Sequence, residues 1–132
     1  MDEVFKISSD KARARDLLIM SKERLDIIKI IPEEKTYKII EEYYEIIKEL
    51  LTAIMYADGY KTLSHVALIE YFSANYKDLE NNDIKLIDDM RKYRNSTVYY
   101  GKKISREFLV NNKNDIKRVI NILSKIVEKK LK

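Results

Sequence analysis

Apolar side chains recur along this chain at three- and four-residue steps, the period of helices with one buried face, and no region of any size alternates as a strand does. Ser8, Ser9 and Asp10 supply N-cap chemistry. Ala14, Leu17, Leu18, Ser21, Leu25, Ile28 and Ile31 then share a face, so a first helix is expected from about Lys11 to Ile31. Pro32 ends it and is expected to occupy the first position of the next, with Glu33 and Glu34 where the helix dipole favours acids. That second helix, about Glu33 to Asp58, carries Tyr37, Ile40, Tyr44, Ile47, Leu51 and Ile54 on one stripe and Ile39, Tyr43, Ile46 and Leu50 on another beside it. A stripe this wide faces more than one neighbour, which makes the second helix the central one, and Gly59 suits the position just past its end.

A short third helix follows from Ser64 to about Tyr76, with Leu63, Val66, Ala67, Leu68, Tyr71 and Phe72 inward. Asn81, Asn82 and Asp83 cap a fourth, which carries Ile84, Ile87, Met90, Tyr93 and Arg94, and Gly101 marks a break. Ser105 to Phe108 opens the last helix. It reads well from Ile116 through Val119, Ile120, Leu123, Val127 and Leu131, while Asn111 to Asn114 is a weak stretch expected to kink or interrupt it. The fold class is therefore all-α: an antiparallel bundle of about five helices in one domain over residues 1–132, with no repeat and no long linker.

Composition narrows the chemistry. The chain is 45% hydrophobic and 36% charged, which fits amphipathic helices with charged outer faces, and its 2 glycines and 1 proline are too few for a sandwich or barrel. Abundant Ile, Lys and Glu without Gln or Trp fit adaptation to heat, and frequent Asn and Tyr fit an AT-rich genome equally well. The absence of cysteine excludes disulfides, thiolate metal sites and cysteine nucleophiles, a single histidine leaves no multi-histidine centre, and no cofactor or metal is expected. No Gly-rich phosphate loop is present. No apolar run approaches membrane-spanning length, and the start, MDEVFKISSDKARAR, has no signal-peptide core, so the expected compartment is the cytoplasm, without a membrane partner. The net charge of +4 permits a nucleic-acid partner without requiring one.

The candidate chemistry lies between Arg91 and Arg106, where no acidic residue occurs. Arg91, Lys92, Arg94, Lys102, Lys103 and Arg106 interleave there with Tyr93, Tyr99 and Tyr100. Basic groups neutralise phosphates while aromatic faces stack on bases, the chemistry of single-stranded RNA or nucleotide binding. The plainer reading is a solvated helix end whose lysines answer the dipole. Arg94 argues for more, because it continues the Ile84–Ile87 stripe and so must pair, line a cleft or face a partner chain. The carboxylates Glu41, Glu42, Glu45 and Glu49 read as a solvated face beside the stripes of the second helix, and His65 as a capping or core-edge histidine.

The segment Arg94-Asn95-Ser96-Thr97-Val98-Tyr99-Tyr100-Gly101 resembles the signature of HEPN domains, in which an arginine, often followed by a polar residue, precedes a histidine after a spacer of four to six residues. Gly59, the Ser64–His65 pair and the apolar run to Phe72 resemble that family's link between its second and third helices. The likeness implies a small helical-bundle homodimer that binds RNA or a nucleotide, or that partners a small nucleotidyltransferase in a toxin–antitoxin-type system. Arg94 and Asn95 match the motif; Tyr99, Tyr100 and Gly101 stand where its histidine would be. In the nucleases of that family the arginine steadies phosphorane charge and the histidine moves protons. A tyrosine, with a reference pKa near 10, does the second job poorly at neutral pH. The implied site is thus a degenerate ribonuclease motif with Arg94, Asn95, Tyr99 and Tyr100 as its catalytic candidates. The rival reading is a dimerisation or protein-interaction module without a nucleic-acid role, since tyrosine and arginine are also enriched at interfaces.

Overall fold

Asp10 begins the first helix by accepting the backbone N–H of Arg13 at 2.9 Å, which satisfies one of the donors that a helix start leaves open. The computed structural model describes residues 3–100 and 106–132, and the side chains of all of these except 97–100. Five helices account for most of the described chain: α1 (Lys11–Ile28), α2 (Thr36–Asp58), α3 (His65–Asn75), α4 (Asn81–Tyr100) and α5 (Arg106–Lys130). They form an all-α bundle in which α2 packs against each of the other four. Its two stripes are the core: Ile40, Tyr44, Ile46, Ile47, Leu50 and Ile54 are all at most 2% exposed. Ile87 and Met90 of α4 and Ile116, Val119, Leu123 and Val127 of α5 close over them. Among the described residues no helix is long and apolar enough to cross a membrane.

Two short strands accompany the helices, a feature that the hydrophobic pattern did not announce. β1 (Phe5–Lys6) pairs antiparallel with β2 (Tyr60–Lys61), Phe5 opposite Lys61. Strands of two residues carry no readable alternation, so only the surrounding bonds reveal their purpose. Ile7 and Asp10 donate backbone hydrogen bonds to Gly59 and Tyr56 at 2.8 and 2.9 Å, and Ser9 Oγ donates to the Ala57 carbonyl at 2.7 Å. The entry to α1 is thereby stitched to the exit of α2. Gly59 makes that exit possible: it takes φ +90°, and a Cβ there would sit 3.1 Å from the Ile7 carbonyl oxygen.

Several boundaries differ from the expected ones. α1 stops at Ile28 rather than Ile31; Lys29, Ile30 and Ile31 donate to the carbonyls three residues back, a tightened last turn. α2 starts at Thr36 rather than Glu33. Pro32 sits in the connecting turn, where its carbonyl accepts from Lys35 N–H at 2.9 Å, and Glu33 reaches across to Arg106 of α5 at 2.9 Å instead of serving the helix dipole. Tyr37, placed on a core stripe by spacing, lies in the first turn and is 41% exposed. Leu63, expected inward, precedes α3 and is 95% exposed, and Ile69 is buried in its stead. α5 runs unbroken through 111–114. Asn112 donates its amide to the Phe108 carbonyl at 2.8 Å, and Leu109 and Ile116 bury on either side, so packing overrides weak local propensity.

Candidate functional site

One turn of α2 organises the polar face where α2, α3 and α4 meet. Tyr44 and Glu45 are neighbours in sequence, and each reaches a different helix. The Tyr44 hydroxyl lies 3.1 Å from Nδ1 of His65, the first residue of α3, and Glu45 Oε1 lies 3.6 Å from the Arg94 guanidinium of α4. Glu45 also takes Lys48 at 2.7 Å. Ser64 fixes the start of α3 by accepting the Ala67 N–H at 3.1 Å, and this holds His65 at the core edge, as its position in the sequence suggested. His65 has in addition an unforeseen partner, Tyr44, and the charges of Arg91 and Arg94 beside it.

The electrostatics of this cluster favour a neutral imidazole. Burial lowers the His65 pKa, and the positive charges of Lys48 and Arg94 lower it further against a smaller opposing effect of Glu45. Burial likewise pushes the Tyr44 hydroxyl up to about 12, so it stays a proton donor across the neutral range. Arg94 is held incompletely. Its side chain is 23% exposed, its contact with Glu45 is longer than a good hydrogen bond, and its buried Nε finds no acceptor among the described residues.

The other sequence-predicted residues divide between two sides of α4. Arg91 pairs with Asp88 at 2.9 Å on the side of the Arg94 cluster, and Lys92, largely exposed, reaches the same carboxylate at 3.2 Å. Burial alone would raise the Asp88 carboxyl, but the bonds from Arg91 and Lys92 more than reverse this and hold it below its ordinary value. Arg91 and Lys92 also line an open cleft of about 480 Å³ between α3 and α4, with Val66, Ile69 and Ile84 as its apolar wall. Tyr93 turns away toward α5, where its ring meets Phe108 edge-on at 4.6 Å. Asn95 is half-buried. The side chains of Tyr99 and Tyr100, and all of Gly101, Lys102 and Lys103, lie outside the described residues. A segment free of acids in sequence is thus answered in space by carboxylates from elsewhere: Asp88, Glu45 and, for Arg106, Glu33.

Two other ionic clusters went unread in the sequence. Arg24 of α1 binds Glu49 at 2.8 Å and Glu42 at 3.0 Å; both acids are nearly fully buried, so they belong to the α1–α2 interface and not to the solvated face assigned to them. The available signal was their spacing: Glu42 and Glu49 are seven residues apart on one face of α2, and Arg24 is three residues past buried Ser21. The second cluster surrounds Asp58 at the end of α2. It accepts from Tyr71 at 2.8 Å, Tyr76 at 2.5 Å and Lys130 at 2.6 Å, which joins α2, α3 and α5. Among the described residues no group of histidine and carboxylate side chains is disposed to hold a metal ion. No known family's model matches the chain, and no curated protein matches it in sequence.

Proposed function

We propose that this chain is a HEPN-type helical bundle that works as a homodimer and binds RNA or a nucleotide through the α4 face, or serves as partner to a small nucleotidyltransferase in a toxin–antitoxin-type pair. Arg94 carries the reading. A guanidinium whose Nε finds no acceptor among the described residues and whose contact with Glu45 is long has donors to spare for a phosphate, and Lys48 and Arg91 beside it add positive potential, with neutral His65 as a polar ring. Lys92 extends the positive edge along α4. The motif tyrosines Tyr99 and Tyr100, with Lys102 and Lys103, complete the proposed RNA-binding segment by sequence. The Tyr44–His65 pair holds its atoms by hydrogen bonding and burial, which suits a binding surface better than proton transfer to solvent-exposed substrate.

The test is fluorescence anisotropy with labelled single-stranded RNA over a salt series. Binding through phosphates weakens with a log–log slope of about −0.7 per phosphate neutralised. Arg94→Ala is expected to lower affinity at least about tenfold while light scattering still reports a dimer, and Lys125→Ala, an exposed lysine of α5, is expected to change little. No RNA or nucleotide binding at low salt refutes the reading. Loss of the dimer in Arg94→Ala favours the interaction-module alternative.

A further inference from the structure

α1, α2 and α5 leave a cleft of about 240 Å³ floored by aliphatic side chains, Ile28, Ile31, Ile39 and Leu109, with exposed Val110 at its mouth. It continues, through the shared residues Ile28, Lys29, Tyr43 and Lys117, into a second lobe along α1. Five cations border the two lobes (Lys22, Lys29, Arg106, Lys113 and Lys117) against two carboxylates, Asp26 and Glu33. Both carboxylates are engaged, Glu33 by Arg106 at 2.9 Å and Asp26 by Lys29 at 3.4 Å. Lys113 and Lys117 have no ionic partner among the described residues, and they stand one helical turn apart on α5, where like charges repel.

Tyr43, 2% exposed, lines both lobes and brings a phenolic O–H to their lining. We propose that this cleft binds a small amphiphilic anion, an alkyl or acyl chain ending in a carboxylate. The chain lies on the aliphatic floor, and the head group is held between Lys113 and Lys117, within reach of the Tyr43 donor. The lining selects this class. A nucleobase would want an aromatic face or side-chain amides for its edge, and the cleft offers neither beyond the edge of Tyr43. A neutral lipid would leave the paired lysines uncompensated. Burial of the floor supplies affinity at about 25 cal/mol per Å² of apolar surface covered, and the lysines supply the discrimination.

Titration calorimetry of the full chain with decanoate below its micelle concentration tests this, with decanol as the uncharged chain and acetate as the head group alone. Saturable one-site binding of decanoate is expected, at least about tenfold tighter than decanol, with none detectable for acetate. Lys113→Ala/Lys117→Ala is expected to bring decanoate down to the affinity of decanol and leave decanol unchanged. Val110→Trp, which fills the cleft mouth from an exposed position, is expected to abolish both. Far-UV circular dichroism confirms that each variant folds, and unchanged RNA affinity in both separates this site from the α4 face. Equal binding of decanoate and decanol, decanoate binding that survives either variant, or capture of an acidic amphipathic peptide in the absence of saturable decanoate binding would overturn the proposal.

Discussion

Replacing Arg24 with methionine keeps the aliphatic stem packed between α1 and α2 and removes only the charge, so the variant measures what the ionic cluster contributes. The side chains of Glu42 and Glu49 are 8% and 7% exposed, whereas that of Arg24 is 28% exposed. Breaking a fully buried pair from one side costs about 3–5 kcal/mol, because the abandoned charge stays desolvated. Two features reduce that figure here: water reaches part of the guanidinium, and Lys38 still approaches Glu42 at 3.8 Å. Glu49 keeps no ion-pair partner among the described residues, so the expected loss is about 2–4 kcal/mol, a drop in urea midpoint of roughly 1–2 M for a chain of this size. The loss should also depend on pH. Burial already raises the Glu49 carboxyl against the pull of Arg24, and without Arg24 it rises further. A carboxyl raised in the folded state binds protons there that the unfolded chain has released. Stability therefore falls as pH climbs from the unfolded value near 4.3 through the folded one. Urea unfolding followed by circular dichroism should show the full deficit of Arg24→Met near about pH 7.5 and a smaller one near about pH 5. Adding Glu42→Gln and Glu49→Gln should recover much of it at neutral pH. A deficit below about 0.5 kcal/mol, or one that does not change with pH, would refute the assignment of this cluster to the folded core.

Asp58→Asn should destabilise the chain by about 1–3 kcal/mol, since a charged acceptor shared by Tyr71, Tyr76 and Lys130 is lost. Burial would raise that carboxyl, but its three partners hold it below its ordinary value; its contribution is present above the unfolded pKa and is lost as pH falls through the folded one, so acid titration of stability should flatten in Asp58→Asn. Gly59→Ala forces a Cβ into a left-handed backbone against the Ile7 carbonyl and should cost about 1–2 kcal/mol by the same urea assay, whereas Leu63→Ser, at a 95% exposed position, should stay within about 0.5 kcal/mol of the parent. On the proposed HEPN-type reading, incubation with single-stranded RNA in chelator should give no efficient cleavage, because Tyr99 and Tyr100 would stand at the motif's histidine position and a pKa near 10 serves proton transfer poorly. Robust cleavage that vanishes in Arg94→Ala would contradict this, and cleavage gained by Tyr99→His would support a degenerate site.

The helices were legible where burial sets the sequence. α2 faces four neighbours, so its two stripes are almost unbroken apolar runs, and Gly59 is demanded by a backbone angle that other residues resist. Boundaries were less legible because they answer to contacts made across the fold. Pro32 is compatible with both a turn and a first helical position, and Glu33 chose Arg106, which lies 73 residues away in sequence. The Asn-rich stretch 111–114 misled for a related reason: propensities of a few tenths of a kcal/mol per residue yield to the burial of Leu109 and Ile116 on either side.

Charged positions were the hardest to place, and the reason is physical. An apolar residue announces its environment through its neighbours at three and four residues, whereas a glutamate on the flank of a stripe has the same sequence context whether water or an arginine faces it. Only the partner decides, and Arg24 lies 18 and 25 residues from its two acids. Arg94 was the exception because it broke a rule. A cation on a core stripe has to be answered, and Glu45 answers it only in part. The same asymmetry separates the Arg24 cluster from the Arg94 cluster. Around Arg24 the hydrogen bonds close on one another, as a structural ion triad requires. Around Arg94 one donor finds no acceptor among the described residues, beside a neutral histidine and two further cations, an arrangement that costs folding energy.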